Sequence, residues 1–164
     1  MATSHPRARR RRPQVGLLAV QWAAILVGSL FLIVGVLGFV PGVTSNLDTL
    51  AMSGTGSRAA LFDVFQVSIL DNLVHLAVGV AGLVLATSFA RARAYLGVGG
   101  LLYLGLWVYG LLIDLAGPAN VLPINDADNW LHFGVGVTMV LLALTLAGTR
   151  VPTGAGGEVL VPPE

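Results

Sequence analysis

The sequence predicts an all-α fold, an integral membrane four-helix bundle built from two repeated helical hairpins. Three observations lead there. Of 164 residues, 55% are hydrophobic and only 10% charged, with a mean hydropathy of +0.84, whereas about a quarter of residues are charged in soluble domains. Four stretches each reach the length of about 20 residues that a helix needs to cross the hydrocarbon core. A ten-residue signature occurs twice, as Asp71-Asn72-Leu73-Val74-His75-Leu76-Ala77-Val78-Gly79-Val80 and as Asp128-Asn129-Trp130-Leu131-His132-Phe133-Gly134-Val135-Gly136-Val137.

Residues 1–14 form a basic arm carrying Arg7, Arg9, Arg10, Arg11 and Arg12. Span one, 15–40, has no charge, is longer than a signal-peptide core and lacks a small-x-small cleavage site, so it reads as an uncleaved span. Pro41-Gly42 breaks it. The loop 41–66 contains Ser53-Gly54-Thr55-Gly56-Ser57, which reads as flexible, then Leu61-Phe62-Asp63-Val64-Phe65, an aromatic stretch suited to the membrane interface. Span two covers about 67–90 and span three 95–116, ended by Gly117-Pro118. Span four covers about 127–147. The Gly- and Pro-rich tail, 148–164, has no periodicity and reads as disordered.

Orientation follows from arginine. Arg91 and Arg93 lie between spans two and three, and Arg150 follows span four, so eight of the nine basic residues share a side with the N-terminus. The positive-inside rule then predicts that both termini are cytoplasmic. Asp48, Asp63, Asp126 and Asp128 fall on the other side. An arm such as Arg9 to Arg12 beside a span sets topology and attracts anionic lipid rather than nucleic acid. The expected partners are the lipid bilayer and a second copy or another membrane protein. With no cysteine, disulfides, thiolate metal sites and thiol nucleophiles are excluded. Gly97-Val98-Gly99-Gly100 lies inside an apolar span and is no nucleotide fingerprint. No hydrolase elbow, phosphate loop or paired catalytic carboxylate stands out, which favours a non-enzymatic protein.

The duplication is wider than the signature: at an offset of 57 residues, Leu85, Ala86, Ala90 and Arg93 recur as Leu142, Ala143, Ala147 and Arg150. Spans two and four therefore correspond and run in the same direction. Spans one and three align less well. On a helix Asp71, His75 and Gly79 share one face, as do Asp128, His132 and Gly136. Lipid cannot satisfy polar atoms, so these faces are expected to turn inward, with Gly79, Gly82 and Gly136 permitting close helix approach. Each His is expected about one turn inside the noncytoplasmic boundary.

Several chemistries are compatible with Asp71, Asn72, His75, Asp128, Asn129 and His132. The ordinary one is structural: Asp126, Asp128 and Asn129, or Asp71 and Asn72, cap helix starts, while each His bonds its own Asp or a neighbouring helix, with no cofactor. The sharper ones are a divalent metal held by two His and two Asp, a b-type haem with His75 and His132 as axial ligands, and proton or ion passage in which Asp114 takes part. Trp22, Tyr103, Trp107 and Tyr109 suit packing or interface anchoring, and less readily a quinone or lipid pocket.

Phe65-Gln66-Val67-Ser68-Ile69-Leu70-Asp71-Asn72-Leu73-Val74-His75-Leu76, then Gly79 and Gly82-Leu83, and later Asn125-Asp126-Ala127-Asp128-Asn129-Trp130-Leu131-His132, resemble the domain of unknown function 4383 family, small four-helix membrane proteins mainly of actinobacteria. The resemblance covers about 15–147 and implies a plasma-membrane location with no established activity. It also associates His-Asn-x-x-His with the first motif, where this chain has Asp71 at the leading position. A two-His ligand set on span two is therefore not available.

Overall fold

The computed structural model describes residues 17–146; the arm with Arg9 to Arg12 and the tail with Arg150 lie outside the described residues. Four helices dominate: α1 (Ala19–Leu37), α2 (Ile69–Leu85), α3 (Phe89–Leu112) and α4 (Asp126–Thr145). The fold is an all-α bundle in which α1 packs chiefly on α2 and α3 chiefly on α4, two hairpins laid side by side. The helices α2 and α4 are not principal neighbours, because α1–α3 contacts lie between the hairpins.

Local chemistry decides where each helix starts. Ser68 Oγ accepts the Asp71 amide at 3.1 Å, Ser88 Oγ the Arg91 amide at 3.4 Å and Asn125 Oδ1 the Asp128 amide at 2.9 Å, each satisfying an amide that the first helical turn leaves free. Asp126, Asp128, Asn129, Asp71 and Asn72 therefore sit inside the first turns rather than at the caps. With Ser88 as cap, α3 begins at Phe89, so Arg91 and Arg93 lie in its first two turns and not in the preceding loop. The helix ends at Leu112, before Gly117-Pro118. The second helix is 17 residues long, close to 26 Å at 1.5 Å per residue.

The bundle is apolar on its outside. Leu26, Leu30 and Ile33 of α1, Val80 and Val84 of α2, Leu101, Leu102 and Leu112 of α3, and Leu141 and Leu144 of α4 are all more than half exposed. A helix that is hydrophobic all round belongs in a membrane or a large core. Three helices, α1, α3 and α4, are long and apolar enough to cross a membrane, and this is a membrane protein. Inside, Val20, Ala24, Ala92, Leu96, Met139 and Ala143 form a tight core with Phe31 and Tyr103. Alanines stand among the larger side chains because, without a hydrophobic force between helices in lipid, close van der Waals approach holds them together.

At the end where α2 and α4 begin, the two long loops fold into a cap. Strands β1 (Thr44–Ser45), β2 (Ala60–Leu61) and β3 (Phe65–Gln66) make a small antiparallel sheet in that order. The stretch 53–57, read above as flexible, is folded: Ser57 is fully buried, its hydroxyl donating to Val67 O at 2.6 Å and accepting the Ala51 amide at 3.3 Å. Gly54, at φ +73°, donates its amide to Val121 O in the second loop at 2.7 Å. Buried hydroxyls and turn glycines leave no hydrophobic periodicity, so a small polar sheet is invisible to pattern reading. Asn120, nearly inaccessible, organises the second loop by donating to Leu115 O and Ile124 O and accepting the Ile124 amide. Phe62 and Asp63 at the β2–β3 turn both have positive φ, leaving Phe62 57% and Val64 47% exposed.

Candidate functional site

The two signatures occupy the same register, since Asp71 and Asp128 are each the third residue of their helix and His75 and His132 each the seventh. Both helices start under the same cap. From there the two motifs bond differently. Asp128 closes a reciprocal box, its Oδ2 accepting the Asn125 amide at 3.0 Å, and the same oxygen accepts the Gln66 amide of β3 at 3.0 Å. Asn125 Nδ2 donates to Val64 O at 2.8 Å. The start of α4 thereby holds the loop of the other hairpin. Asp71 instead turns along its own helix to His75: Nδ1 lies 3.3 Å from Asp71 Oδ2 and 2.9 Å from Asp71 O. His132 has no such carboxylate, and its Nδ1 is buried without a partner among the described residues.

Each Asn meets a glycine near the end of its hairpin partner. Asn72 is inaccessible and its amide fills the space where Gly38, the residue closing α1, has no side chain. Asn129 sits in the same way against Gly110 near the end of α3. Deeper in each hairpin, backbones touch through glycine. A methyl group on Gly28 would lie 2.9 Å from Gly79 O, and one on Gly79 would lie 2.8 Å from Gly28 O and 2.7 Å from Leu32 Cγ. In the second hairpin, a methyl on Gly100 would lie 2.9 Å from Gly136 O, and one on Gly136 would lie 3.0 Å from Gly100 O and 2.9 Å from Leu104 Cγ. Gly82 faces Gly28 and the Tyr95 ring at 2.8 Å.

These contacts expose an alignment of α1 with α3 that the sequence analysis missed. At an offset of 72 residues, Gly28, Leu30, Phe31, Leu32, Val36 and Gly38 stand opposite Gly100, Leu102, Tyr103, Leu104, Val108 and Gly110. The signal was present, but it lies at a different offset from the 57 residues relating α2 to α4, because the loops of the two hairpins differ in length. Gly35 breaks the pattern. Its equivalent is Trp107, which packs on Phe133 with ring centroids 4.7 Å apart.

Phe31 and Tyr103 stand between the two histidines. Ring centroids run from His75 to Phe31 at 5.7 Å, from Phe31 to Tyr103 at 5.3 Å and from Tyr103 to His132 at 5.3 Å. All four rings reach a cavity of about 530 Å³ bounded on α1 from Val27 to Val34 and on α4 from Trp130 to Met139. Of the four aromatics considered from sequence, Tyr103 lines it. Trp22 is 55% exposed, Trp107 belongs to the Trp130–Phe133 cluster, and the Tyr109 hydroxyl donates to Ala119 O in the second loop.

The donor sets for metal and haem do not assemble. Among the described residues no three His, Cys, Asp or Glu side chains converge as a metal site, because Asp128 is spent on amides and Asp71 on His75. The two imidazoles are separated by the Phe31 and Tyr103 rings rather than by a slot for a planar macrocycle. Asp114 stands apart from the cluster: it is exposed in the second loop, where its Oδ1 accepts the Ala116 amide at 3.0 Å. Residues that sequence reasoning did not single out include Phe31, Ser68, Asn125, Gln66 and Gln21. Gln21 accepts the Leu18 amide and donates Nε2 to Ala86 O at 2.8 Å, tying the start of α1 to the end of α2.

Comparison with curated proteins and with solved structures returns no match. Residues 21–145, which hold all four helices but for Ala19 and Val20, match the sequence model described as "Domain of unknown function (DUF4383)", and the chain belongs to that family.

Proposed function

We propose that this is a non-enzymatic, multi-pass plasma-membrane protein in which a duplicated Asp-Asn-x-x-His cluster locks two helical hairpins together beneath an extracytoplasmic cap and borders a ligand site. The observation that carries this reading is the matched seating of Asn72 on Gly38 and Asn129 on Gly110. Residue pairs at two offsets repeat one contact in both hairpins, which supports a duplicated helical hairpin in which the helix directions are kept. Orientation rests on charge: Arg91 and Arg93 lie at the end opposite the cap, and Asp48, Asp63 and Asp126 lie at the cap end. The rule that arginine stays inside then puts both termini in the cytoplasm and the cap outside.

Conduction finds less support in the geometry. Beyond the histidines the bundle interior is the apolar cluster of Val20, Ala24, Leu96 and Met139, and Asp114 lies outside the polar cluster. Structural use of the polar residues is the simpler account, since the Asn72 and Asn129 amides act by packing into the spaces at Gly38 and Gly110, with neither oxygen hydrogen-bonded among the described residues.

Two measurements test the reading. The chain has no cysteine, so Thr55→Cys and Arg91→Cys each give a single reporter at an exposed site. An impermeant maleimide applied to whole cells is expected to label Thr55→Cys, and Arg91→Cys only after lysis; the reverse pattern overturns the orientation. Asn72→Leu and Asn129→Leu are each expected to lower the stability of the folded protein in detergent. Unchanged unfolding of both would remove the locking role.

A further inference from the structure

We propose that the crevice between α1 and α4 binds a lipid-tailed phenol or quinol taken sideways from the bilayer, with its hydroxyl bonded to His75 Nε2 beside Tyr103 and His132. The inference rests on the membrane reading above and adds an occupant to it. The cavity, about 530 Å³, falls in the range of small-molecule sites. It runs along the helices from Val27 to Val34 and from Trp130 to Met139, about 10 to 13 Å at 1.5 Å per residue, so it accepts an elongated ligand. Leu30 and Trp130 at its rim are 61% and 62% exposed, on the apolar surface of the bundle. Entry is therefore from the bilayer.

The floor selects the head. His75 Nδ1 faces two acceptors, Asp71 O and Asp71 Oδ2, so Nδ1 carries the hydrogen. In the neutral ring Nε2 is then an acceptor, and no bond to it is made among the described residues. The His75 ring borders the cavity and keeps 15% of its side-chain surface accessible, so a hydroxyl entering there supplies the donor that Nε2 lacks. The His132 ring lines the same floor, with its Nδ1 buried and unpaired among the described residues. A charged head is disfavoured: none of the described arginines, Arg58, Arg91 and Arg93, lines the cavity, and the carboxylate of Asp71 stands behind His75. The run of Phe31, Tyr103 and His132 rings at about 5.3 Å spacing favours a flat aromatic head, which joins by offset or edge-to-face stacking.

One position keeps the crevice open. A side-chain carbon at Gly134, a lining residue, would meet no atom within 4 Å, while the matching position in α2 is Ala77. The first side-chain carbon of Gly134→Phe therefore meets no protein atom beside the crevice, and loss of glycine from a helix favours folding.

The test uses the full chain in phosphatidylcholine nanodiscs, with a decyl-tailed benzoquinol as probe and farnesol as an aliphatic alcohol of similar reach. Retained probe is quantified against empty discs. Saturable retention at one quinol per chain is expected, weakened at least about tenfold, or 1.4 kcal/mol, by Gly134→Phe and by His75→Phe, with helical content unchanged in both. Retention no greater than in empty discs by a folded, inserted protein overturns the proposal and leaves the membrane reading standing. Failure to enter discs overturns both. Retention indifferent to Gly134→Phe overturns the location, and farnesol held as well as the quinol overturns the aromatic head.

Discussion

Replacing Gly38 by alanine isolates the contact on which the proposed locking rests. Gly38 closes α1 in an ordinary right-handed conformation, φ −60° and ψ −14°, so alanine adopts that backbone without strain. Freed of neighbours, the change is expected to stabilise by about 0.4–1 kcal/mol through the unfolded chain. In the protein the added methyl would overlap the Asn72 amide, meeting Oδ1, Cγ and Nδ2 alike, so flipping the amide gives no relief. Overpacking of this kind costs about 1–3 kcal/mol. The sign should reverse when the amide is removed: Gly38→Ala destabilises the natural chain yet is neutral or mildly stabilising in an Asn72→Ala background. The coupling between the two sites is then about 1.5–4 kcal/mol, well beyond the few tenths seen for independent positions. Unfolding followed by circular dichroism in mixed micelles, over the four chains of the cycle, reads it directly. Additive effects would refute the reasoning, whatever the size of each single change.

Four further outcomes are expected. Gly28→Ala and Gly100→Ala press methyl groups against backbone of the partner helix at 2.9 Å, so each should cost about 1–3 kcal/mol; costs differing by more than that range between hairpins would count against their equivalence. Gly42→Ala meets no atom within 4 Å but has φ +83°, and the same unfolding assay should show only the left-handed backbone cost of about 1–2 kcal/mol. Asp128→Ala removes the acceptor of the Asn125 and Gln66 amides and should cost about 2–4 kcal/mol, while Asp128→Asn, which keeps one oxygen, should lose about half as much. Hydrogen exchange in Asp128→Ala should rise at Gln66 as well as at the start of α4, and protection retained at Gln66 would contradict the bond between them.

Much of the architecture was legible because lipid imposes one simple demand, a run of apolar residues long enough to cross. The four helices, the shared direction of α2 and α4, and the placing of both His at one level below the same end follow from hydropathy and from the Asp71/Asp128 repeat, although each His lies nearly two turns from its helix start rather than one. Helix ends were less legible. Ser68 and Asn125 take the caps from the neighbouring Asp residues because capping depends on a single side-chain bond, and several residues nearby can make it. The α1–α3 correspondence was hidden by its different offset. The divergence of the two clusters was not legible at all: identical Asp and His residues at identical spacing bond differently because Gln66 reaches Asp128 from another part of the chain, and nothing local to either motif encodes that approach. The same holds for the crevice, whose floor unites side chains from all four helices.

The bond from Asp128 to Gln66 also orders events during synthesis. The loop that follows α1 leaves the ribosome early, yet the carboxylate that accepts its amide belongs to the last helix made. Hairpin one can therefore be in place, its loop packed on Val34 and Leu37, while that loop still lacks its bond to the last helix, and only arrival of the final helix completes it. A chain stopped before residue 126 should present that loop to proteases, so the finished lid serves as a mark that the whole protein has been inserted.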